Sequence, residues 1–303
     1  MKKTFLLFMF AATLMSFLGL TSCERPDDNP PIIPTLGETG GGFDQDGAST
    51  ARFSVSDIKQ VRFSRGNLQY QASTDTWRFA VHQYDYIGAD NANISSTYGG
   101  WIDLFGWGTS GWNSGAICYQ PWSTSTNSSD YFPGGDYTNN LYGDYANADW
   151  GVYNAISNGG NRAGLWRTLT TEEWIYLINT RANASSKYGF AVIDGRYKGL
   201  IILPDIWKIP DGLTFVSGDD NQNEYTLEQW SQMESAGALF LPAAGIRYGT
   251  GLDVVGHEGR YWSSSYRNSS IADNLGFNVV DLNCFAQAAN WYWVAISVRL
   301  VMD

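Results

Sequence analysis

The chain has 303 residues, of which 30 are acidic and 19 are basic, so its formal net charge is −11 at neutral pH. Nucleic-acid binding needs clustered Lys and Arg side chains to meet phosphates, so this charge excludes nucleic acid as an expected partner. Charged residues make up only 16% of the chain and aromatic residues 15%, a balance typical of carbohydrate binders and of paratopes. Loop-rich folds that use aromatic anchors share this composition, and both interpretations stay open.

The N-terminal segment predicts export. Lys2 and Lys3 precede an apolar run from Phe5 to Leu20, as in a secretory signal peptide, here residues 1–22. The run is too short and too poorly flanked for a stable membrane span. Cleavage removes two of the 19 basic residues and none of the 30 acidic ones, which takes the net charge from −11 to −13. Such a charge suits a soluble, exposed domain.

The signal segment closes on Leu20-Thr21-Ser22-Cys23, which resembles the lipobox of bacterial lipoproteins. The resemblance implies cleavage before Cys23, acylation of this cysteine, and lasting anchorage in outer-membrane lipid through several acyl chains. Glu24, Asp27 and Asp28 follow, and such acidic flanks resemble the surface-export signal of Bacteroidota lipoproteins. The expected location is the outer membrane, with the domain exposed at the cell surface.

Residues 23–52 are expected to form a tether, because prolines stiffen its start and glycines loosen its end. The folded domain is predicted over residues 53–303. This part contains no repeat of fixed period and no second boundary. A single α+β domain is the simplest prediction.

Two alternating runs, Val61–Tyr70 and Thr76–Ala80, flank a short polar turn and predict a β-hairpin. A long region rich in Gly, Asn, Ser and aromatic residues follows, from Tyr84 to Arg162. Irregular chain of this length needs fixing points, and large aromatic side chains can supply them. The candidates are Trp101, Phe105, Trp107, Trp112, Trp122, Phe132, Tyr142 and Trp150.

Capping boxes predict two helices. Thr170 with Glu173 begins the first, and Thr226 with Gln229 begins the second, which Gly237 ends. The residues expected to face inward are Trp174, Leu177 and Ile178 in the first helix, and Trp230 and Met233 in the second. Short strands are predicted between the helices, within Tyr188–Trp207, and Ala238–Gly245 is expected to return to the core.

The C-terminal segment, Tyr261–Asp303, has strand-forming ends and a mixed interior without a single helical or strand period. Chemically diverse side chains on a rigid frame suit a recognition surface, where outward aromatics and Arg dominate binding energy. Local packing among loops is the alternative for each of them. The expected ligand contacts are Tyr266, Arg267, Asn268, Ile271, Asp273, Asn278, Val280, Phe285, Tyr292 and Trp293.

One strand of this segment shows a regular alternation. Leu275, Phe277 and Val279 are expected to point into the core. The residues expected to point outward are Asn274, Gly276 and Asn278.

Four motifs in combination resemble one family: Trp166–Trp174, Phe240–Arg247, Tyr261–Ser265 and Ser297–Val301. Their order is similar to the Fibrobacter-type major paralogous domain of exported bacterial proteins. That family resembles the C-type-lectin-like fold in its formylglycine-generating-enzyme version. The resemblance runs over roughly residues 53–303 and implies a loop-rich α+β domain with short strands and two main helices.

The same C-terminal layout resembles the variable proteins of diversity-generating retroelements. In that family a C-terminal segment of a lectin-like fold is rewritten by adenine-directed mutagenesis, and the altered residues form the ligand-binding face. The resemblance implies that residues 261–303 form the recognition segment, with ligand contacts between Ser265 and Ser297. An ordinary lectin-like ending is the alternative.

Enzyme chemistry is not expected. The chain has only two His residues, His82 and His257, and no motif of zinc hydrolases or serine-triad enzymes. Formylglycine-generating enzymes use a late copper-binding cysteine pair, whereas Val298-Arg299-Leu300 stands in the matching strand here. The least implausible acids for glycoside hydrolysis are Asp194, Asp205, Asp253 and Glu258, although each more simply solvates a turn.

Two further features stay open. Cys118 and Cys284 could pair in an exported protein, or remain as small free thiols. Asp219–Glu224 carries oxygen ligands at alternating spacing and could hold calcium, but it lacks the Gly and the Glu of an EF-hand loop. A polar surface turn is the other interpretation, and no other cofactor is expected.

The sequence therefore predicts a surface-anchored lipoprotein that binds an extracellular glycan or protein through a lectin-like C-terminal face. An accessory or tip subunit of a surface appendage is the alternative, although no spare strand for polymerisation is evident in the tether. Size-exclusion chromatography would separate the two. A glycan-active enzyme is the third hypothesis.

Overall fold

The computed structural model describes residues 42–303, except for the side chains of residues 220 and 221. The predicted signal peptide, Cys23 and the tether up to residue 41 lie outside the described residues. The described chain is a single mixed α+β domain made mostly of strands and loops, as predicted. Within residues 42–303, no helix has the length and apolar character needed to cross a membrane.

The strands are β1 (Phe53–Ser54), β2 (Gln60–Phe63), β3 (Leu68–Gln71), β4 (Thr76–Phe79), β5 (Tyr188–Ile193), β6 (Tyr197–Ile202), β7 (Gly218–Tyr225), β8 (Leu239–Pro242), β9 (Ile246–Tyr248), β10 (Gly251–Asp253), β11 (Glu258–Tyr266), β12 (Ile271–Asn278), β13 (Asn283–Trp291) and β14 (Val301–Met302). The α-helices are α1 (Trp150–Tyr153), α2 (Thr171–Ile175, continued by a π-turn over Tyr176–Thr180) and α3 (Leu227–Ser235). Single-turn 3-10 segments make up the remaining helical structure.

The predicted start of the domain at Phe53 is too late. Phe43 pairs with Ser49, and Ala48 pairs with Ser64. Ala48 is fully buried, so residues 43–52 belong to the domain and not to the tether. Burial of this small side chain against the domain explains why a Gly-rich stretch is nevertheless ordered.

The predicted hairpin is present, but its first run, Val61–Tyr70, is divided between two strands, β2 and β3. β3 pairs with β4 in the register Leu68–Phe79, whereas β2 lies between β1 and β14 in another sheet. The chain changes sheet at Gly66, where a Cβ atom would lie 2.6 Å from the carbonyl oxygen of Ala80. This close approach explains the break in an otherwise strand-like run.

Aromatic side chains fix the long irregular region, as predicted. Trp107 and Trp150 are fully buried, and the Trp107 indole donates a hydrogen bond of 2.9 Å to the Ser263 carbonyl oxygen. Tyr142 is an exception, since 46% of its surface is exposed.

Both capping boxes are confirmed. The Thr170 hydroxyl accepts from the Glu173 amide at 3.2 Å, and the Glu173 carboxylate accepts from the Thr170 amide at 3.0 Å. Thr226 and Gln229 form the same reciprocal pair at α3. The predicted inward residues are all buried, and Gly237 follows α3 with φ near +100°.

The two predicted strands β5 and β6 form an antiparallel pair inside a four-stranded sheet of order β7-β5-β6-β8. One face of this sheet packs against Trp230 and Met233 of α3. Its other face packs against Leu275 and Phe277 of the β11-β12-β13 sheet. The four-stranded sheet is therefore held between two core layers.

Leu275, Phe277 and Val279 are buried on β12, as predicted. The prediction that Asn274 points to solvent is wrong, because only 1% of its surface is exposed. It lies opposite Trp262, whose ring is part of the other core cluster. This sheet is covered on both faces near its centre, so alternation along the strand does not separate core from solvent there.

Candidate ligand-binding face

The C-terminal segment forms two successive antiparallel hairpins, β11-β12 and β12-β13. Asn268 and Asn278 shape the two turns. The Asn268 side-chain oxygen accepts from the amides of Ser270 and Ile271 at 2.9 and 3.2 Å. That of Asn278 accepts from Val280 and Asp281 at 2.8 and 3.0 Å. Both residues were predicted ligand contacts, but the side-chain oxygen of each already accepts hydrogen bonds from backbone amides of its turn.

Asp273 is buried, which contradicts its prediction as a surface contact. Its carboxylate forms an ion pair with Arg267 and accepts hydrogen bonds from the Thr171 hydroxyl at 2.8 Å and the Gln287 amide at 3.3 Å. Arg267 also donates to the carbonyl oxygens of Gln287 and Ala288 at 3.1 and 3.2 Å. Arg267 is therefore a partly exposed clamp that holds the first turn against β13.

Tyr292 is also buried, with no exposed surface, so its predicted outward orientation is wrong. Its ring makes edge-to-face contacts with Trp107 and Phe132, at centroid distances of 5.0 and 5.1 Å. Its hydroxyl donates to the Asn268 carbonyl oxygen at 2.9 Å. The side chain anchors the turn after β13 in the main core.

The two neighbours of Tyr292 contact each other and form a partly exposed aromatic row with a third ring. Trp291 stacks on Trp293 with centroids 5.5 Å apart and planes 10° apart. Tyr248 lies 5.8 Å from Trp293. Trp291 is 51% exposed, Tyr248 is 37% exposed, and Trp293 is partly buried against the core. We call Tyr248, Trp293 and Trp291 the aromatic row.

Trp293 is the one member of the aromatic row that the sequence predicted as a ligand contact. Trp291 could have been found, because it stands two residues before Trp293 and flanks the same buried tyrosine. Tyr248 comes from β9, which reaches this place because Arg247 pairs with Ala295. No local pattern of the sequence indicates that pairing.

A polar cluster of Glu258, Arg260 and Asn290 belongs to the same sheet. Arg260 donates to one carboxylate oxygen of Glu258 at 2.8 and 3.0 Å and to the Asn290 amide oxygen at 3.2 Å. Gly276 lies between the two strands, and a Cβ there would meet Ala288 at 2.8 Å and the Arg260 guanidinium at 3.6 Å. The absence of a side chain lets Arg260 reach across β12.

Electrostatics connects the cluster to the row. Partial burial raises the pKa of the Tyr248 phenol, and the carboxylates of Asp253 and Glu258 raise it as well, whereas Arg260 lowers it. Tyr248 therefore lies within electrostatic range of Glu258 and Arg260 of the polar cluster.

The remaining predicted contacts are spread over the hairpins. Tyr266 is partly buried and packs edge-to-face on Tyr137 at 6.1 Å, while Ile271 is partly exposed and pairs with Trp291. Phe285 is 57% exposed opposite Gly276. Val280 is 61% exposed, but its turn follows the far end of β12, roughly 20 Å from the aromatic row for a strand of this length. The predicted residues therefore do not form one patch.

The predicted calcium segment is strand β7, not a turn. The Asn223 amide is engaged by backbone groups: it donates to the carbonyl oxygens of Phe190 and Val216 and accepts from the Val216 amide. Among the described residues, no three His, Cys, Asp or Glu side chains lie together as metal ligands would. Cys118 and Cys284 are free thiols.

Each of the four candidate catalytic acids has a place or a partner in the fold. Asp194 lies in the β5-β6 turn, and Asp205 accepts hydrogen bonds from Ser54 and Gln60. Asp253 accepts from the Val254 amide, and Glu258 is bound by Arg260.

Two open surface depressions of about 480 Å³ each lie away from the aromatic row. One is lined by Lys208, Pro210 and Gln232, and the other by Asp194, Lys198 and Glu224. Neither contains a predicted ligand contact.

Comparison with known proteins identifies no relative of this chain. No protein-family model, no curated protein and no solved structure matches the chain. The choice of the face rests on its own exposure, contacts and chemistry.

Proposed function

We propose that this chain is an outer-membrane lipoprotein, anchored through acylated Cys23, that binds an extracellular ligand at the C-terminal face of a C-type-lectin-like domain. The observation that carries the binding function is the aromatic row beside the polar cluster. Partly exposed Trp and Tyr rings are among the side chains that dominate binding energy at interfaces.

The proposed kinship with formylglycine-generating-enzyme-like lectin folds is supported by where its four motifs lie. Arg167 and Val301 exchange backbone hydrogen bonds of 2.9 and 2.8 Å. The Ser264 amide donates to the Leu169 carbonyl, and the Tyr261 hydroxyl donates to the Pro242 carbonyl. All four motifs thus meet in one part of the core, as parts of a shared fold should.

The geometry favours a glycan over a protein as the ligand. Three partly exposed rings offer roughly 200–300 Å² of aromatic surface, whereas a stable protein interface buries about 800 Å² on each partner. A sugar ring has an apolar C–H face and a rim of hydroxyl groups. The aromatic row can stack on the first, and Glu258, Arg260 and Asn290 can exchange hydrogen bonds with the second.

Diversification by a retroelement is part of the proposal for residues 261–303. The exposed positions Val280 and Phe285 can change at little cost to the core. Changes at Asp273 and Tyr292 would disturb it. A template repeat and a reverse transcriptase gene in the flanking DNA are expected, and their absence would contradict this part.

Array binding tests the proposed ligand class. The mature domain is applied to a glycan array and to a protein array, beside Trp291→Ala and a control, Tyr153→Ala, which removes a ring that is 43% exposed on α1. We expect glycan binding that Trp291→Ala loses by tenfold or more (~1.4 kcal/mol) and that the control keeps. Binding to proteins alone, or glycan binding unaffected by Trp291→Ala, would contradict the proposal.

A further inference from the structure

Two isoleucine side chains on the domain surface are almost fully exposed to solvent. Ile58, in the β1-β2 turn, is 98% exposed and Ile206 is 94% exposed. Asp205, the residue before Ile206, links this position to the β1-β2 hairpin. Its carboxylate accepts hydrogen bonds from Ser54 on β1 at 2.7 Å and from Gln60 on β2 at 2.8 Å. Isolated exposed apolar residues are common on proteins, but two with nearly full exposure on one edge are not explained by folding.

The chain joins the domain at the same edge. The Thr50 amide donates to the Gly42 carbonyl oxygen at 2.7 Å, and two residues later the Arg52 carbonyl accepts from the Asp205 amide at 3.0 Å. Gly42 is nineteen residues after Cys23. Nineteen residues span at most about 65 Å when fully extended, so a lipid anchored at Cys23 leaves this edge within reach of the bilayer.

Two cations of this edge are available to a lipid surface. Arg52 and Lys208 are exposed, and among the described residues neither forms an ion pair. Asp57 accepts a hydrogen bond from the Tyr176 hydroxyl, and Asp205 pairs with Arg181. The two cations are thus open to lipid phosphates, and the exposed carboxylate of Asp211 lines the same depression as Lys208.

We propose that this edge, formed by Ile58, Ile206, Arg52 and Lys208, rests on the bilayer that holds the acylated cysteine. The isoleucines insert at the boundary between headgroups and acyl chains, and the two cations lie among the phosphates. The inference rests on the proposed anchoring. The edge borders the core clusters of β1, β2 and α3, whereas Trp293 of the aromatic row packs on a third cluster, so the edge and the row share no core cluster.

Hydrogen–deuterium exchange tests the contact. The acylated mature chain is bound to vesicles of phosphatidylethanolamine and phosphatidylglycerol and compared with the non-acylated Cys23→Ser chain in solution. We expect several-fold slower exchange on vesicles in peptides that contain residues 55–60 and 205–209. The acylated double variant Ile58→Ser/Ile206→Ser should lose this protection, and Ile117→Ser, which alters an isoleucine that is 77% exposed elsewhere, should keep it.

The outcomes separate the inference from the anchoring. An intact mass without acyl chains on Cys23 would overturn both. An acylated chain on vesicles without protection of the two peptides would overturn the edge contact alone. Dimerisation in solution that the double variant abolishes would assign the edge to a second copy of the chain, which also overturns it.

Discussion

Three consecutive residues with opposite roles define the candidate face. Tyr292 is enclosed by Trp107 and Phe132, whereas Trp291 and Trp293 stack on each other and Trp291 is half exposed. The buried ring fixes the turn and thereby holds the exposed rings in place without any ligand. A preformed aromatic surface of this kind loses little conformational freedom on binding.

Substitution of the two neighbours should therefore separate stability from binding. Tyr292→Ala should lower the free energy of unfolding by about 3–5 kcal/mol, because it leaves a large cavity in the core. Trp291→Ala should change it by less than about 1 kcal/mol and remove ligand binding. Urea unfolding of both variants measures this, and the reverse order of destabilisation would contradict the assignment of the inward and outward rings.

At the scale of elements, the sequence predicted the features that are caused by residues close together in the chain. Capping boxes and the apolar faces of α2 and α3 lie within a few residues, so the sequence revealed both helices. The sequence offered a calcium site or a polar turn at β7, because the strand character of β7 comes from parallel pairing with β5. The division of β2 from β3 and the arrival of Tyr248 beside Trp293 likewise depend on pairing between distant segments.

The first capping box should matter more than the second. Beyond its cap, Glu173 receives two hydrogen bonds from Arg167, at 2.6 and 2.7 Å, so Thr170 holds a carboxylate that also binds a neighbouring segment. Thr170→Ala should cost about 1–2 kcal/mol, and Thr226→Ala, at an exposed cap, about 0.5–1 kcal/mol. Thermal and urea unfolding would show this order; equal or inverted losses would mean that Arg167 does not reinforce the cap.

At the scale of the whole molecule, two buried carboxyls make stability depend on pH. Burial raises the pKa of Asp103 and of Asp149 to about 6, although each accepts hydrogen bonds from backbone amides. Neither forms an ion pair with any described residue. The unfolded chain keeps their ordinary values near 4, so the stabilisation from protonation is complete below pH 4 and is lost as pH rises through 6.

The domain should therefore be more stable at pH 5 than at pH 7.5. Each kcal/mol gained raises the melting temperature of a domain this size by about 2–4 °C, and Asp103→Asn should reduce the difference between the two pH values. Calorimetry at both pH values is the measurement. A melting temperature that falls between pH 7.5 and pH 5 would show that these carboxyls stay ionised in the fold.

The central claim is that ligand binds on the aromatic row, and footprinting of the bound protein tests it most directly. Hydroxyl-radical oxidation is followed by mass spectrometry, with and without the strongest glycan from the array. The account predicts protection of Tyr248, Trp291 and Trp293 and unchanged labelling around Lys198 and Glu224. Protection at that second depression, with the three rings still fully reactive, would contradict it.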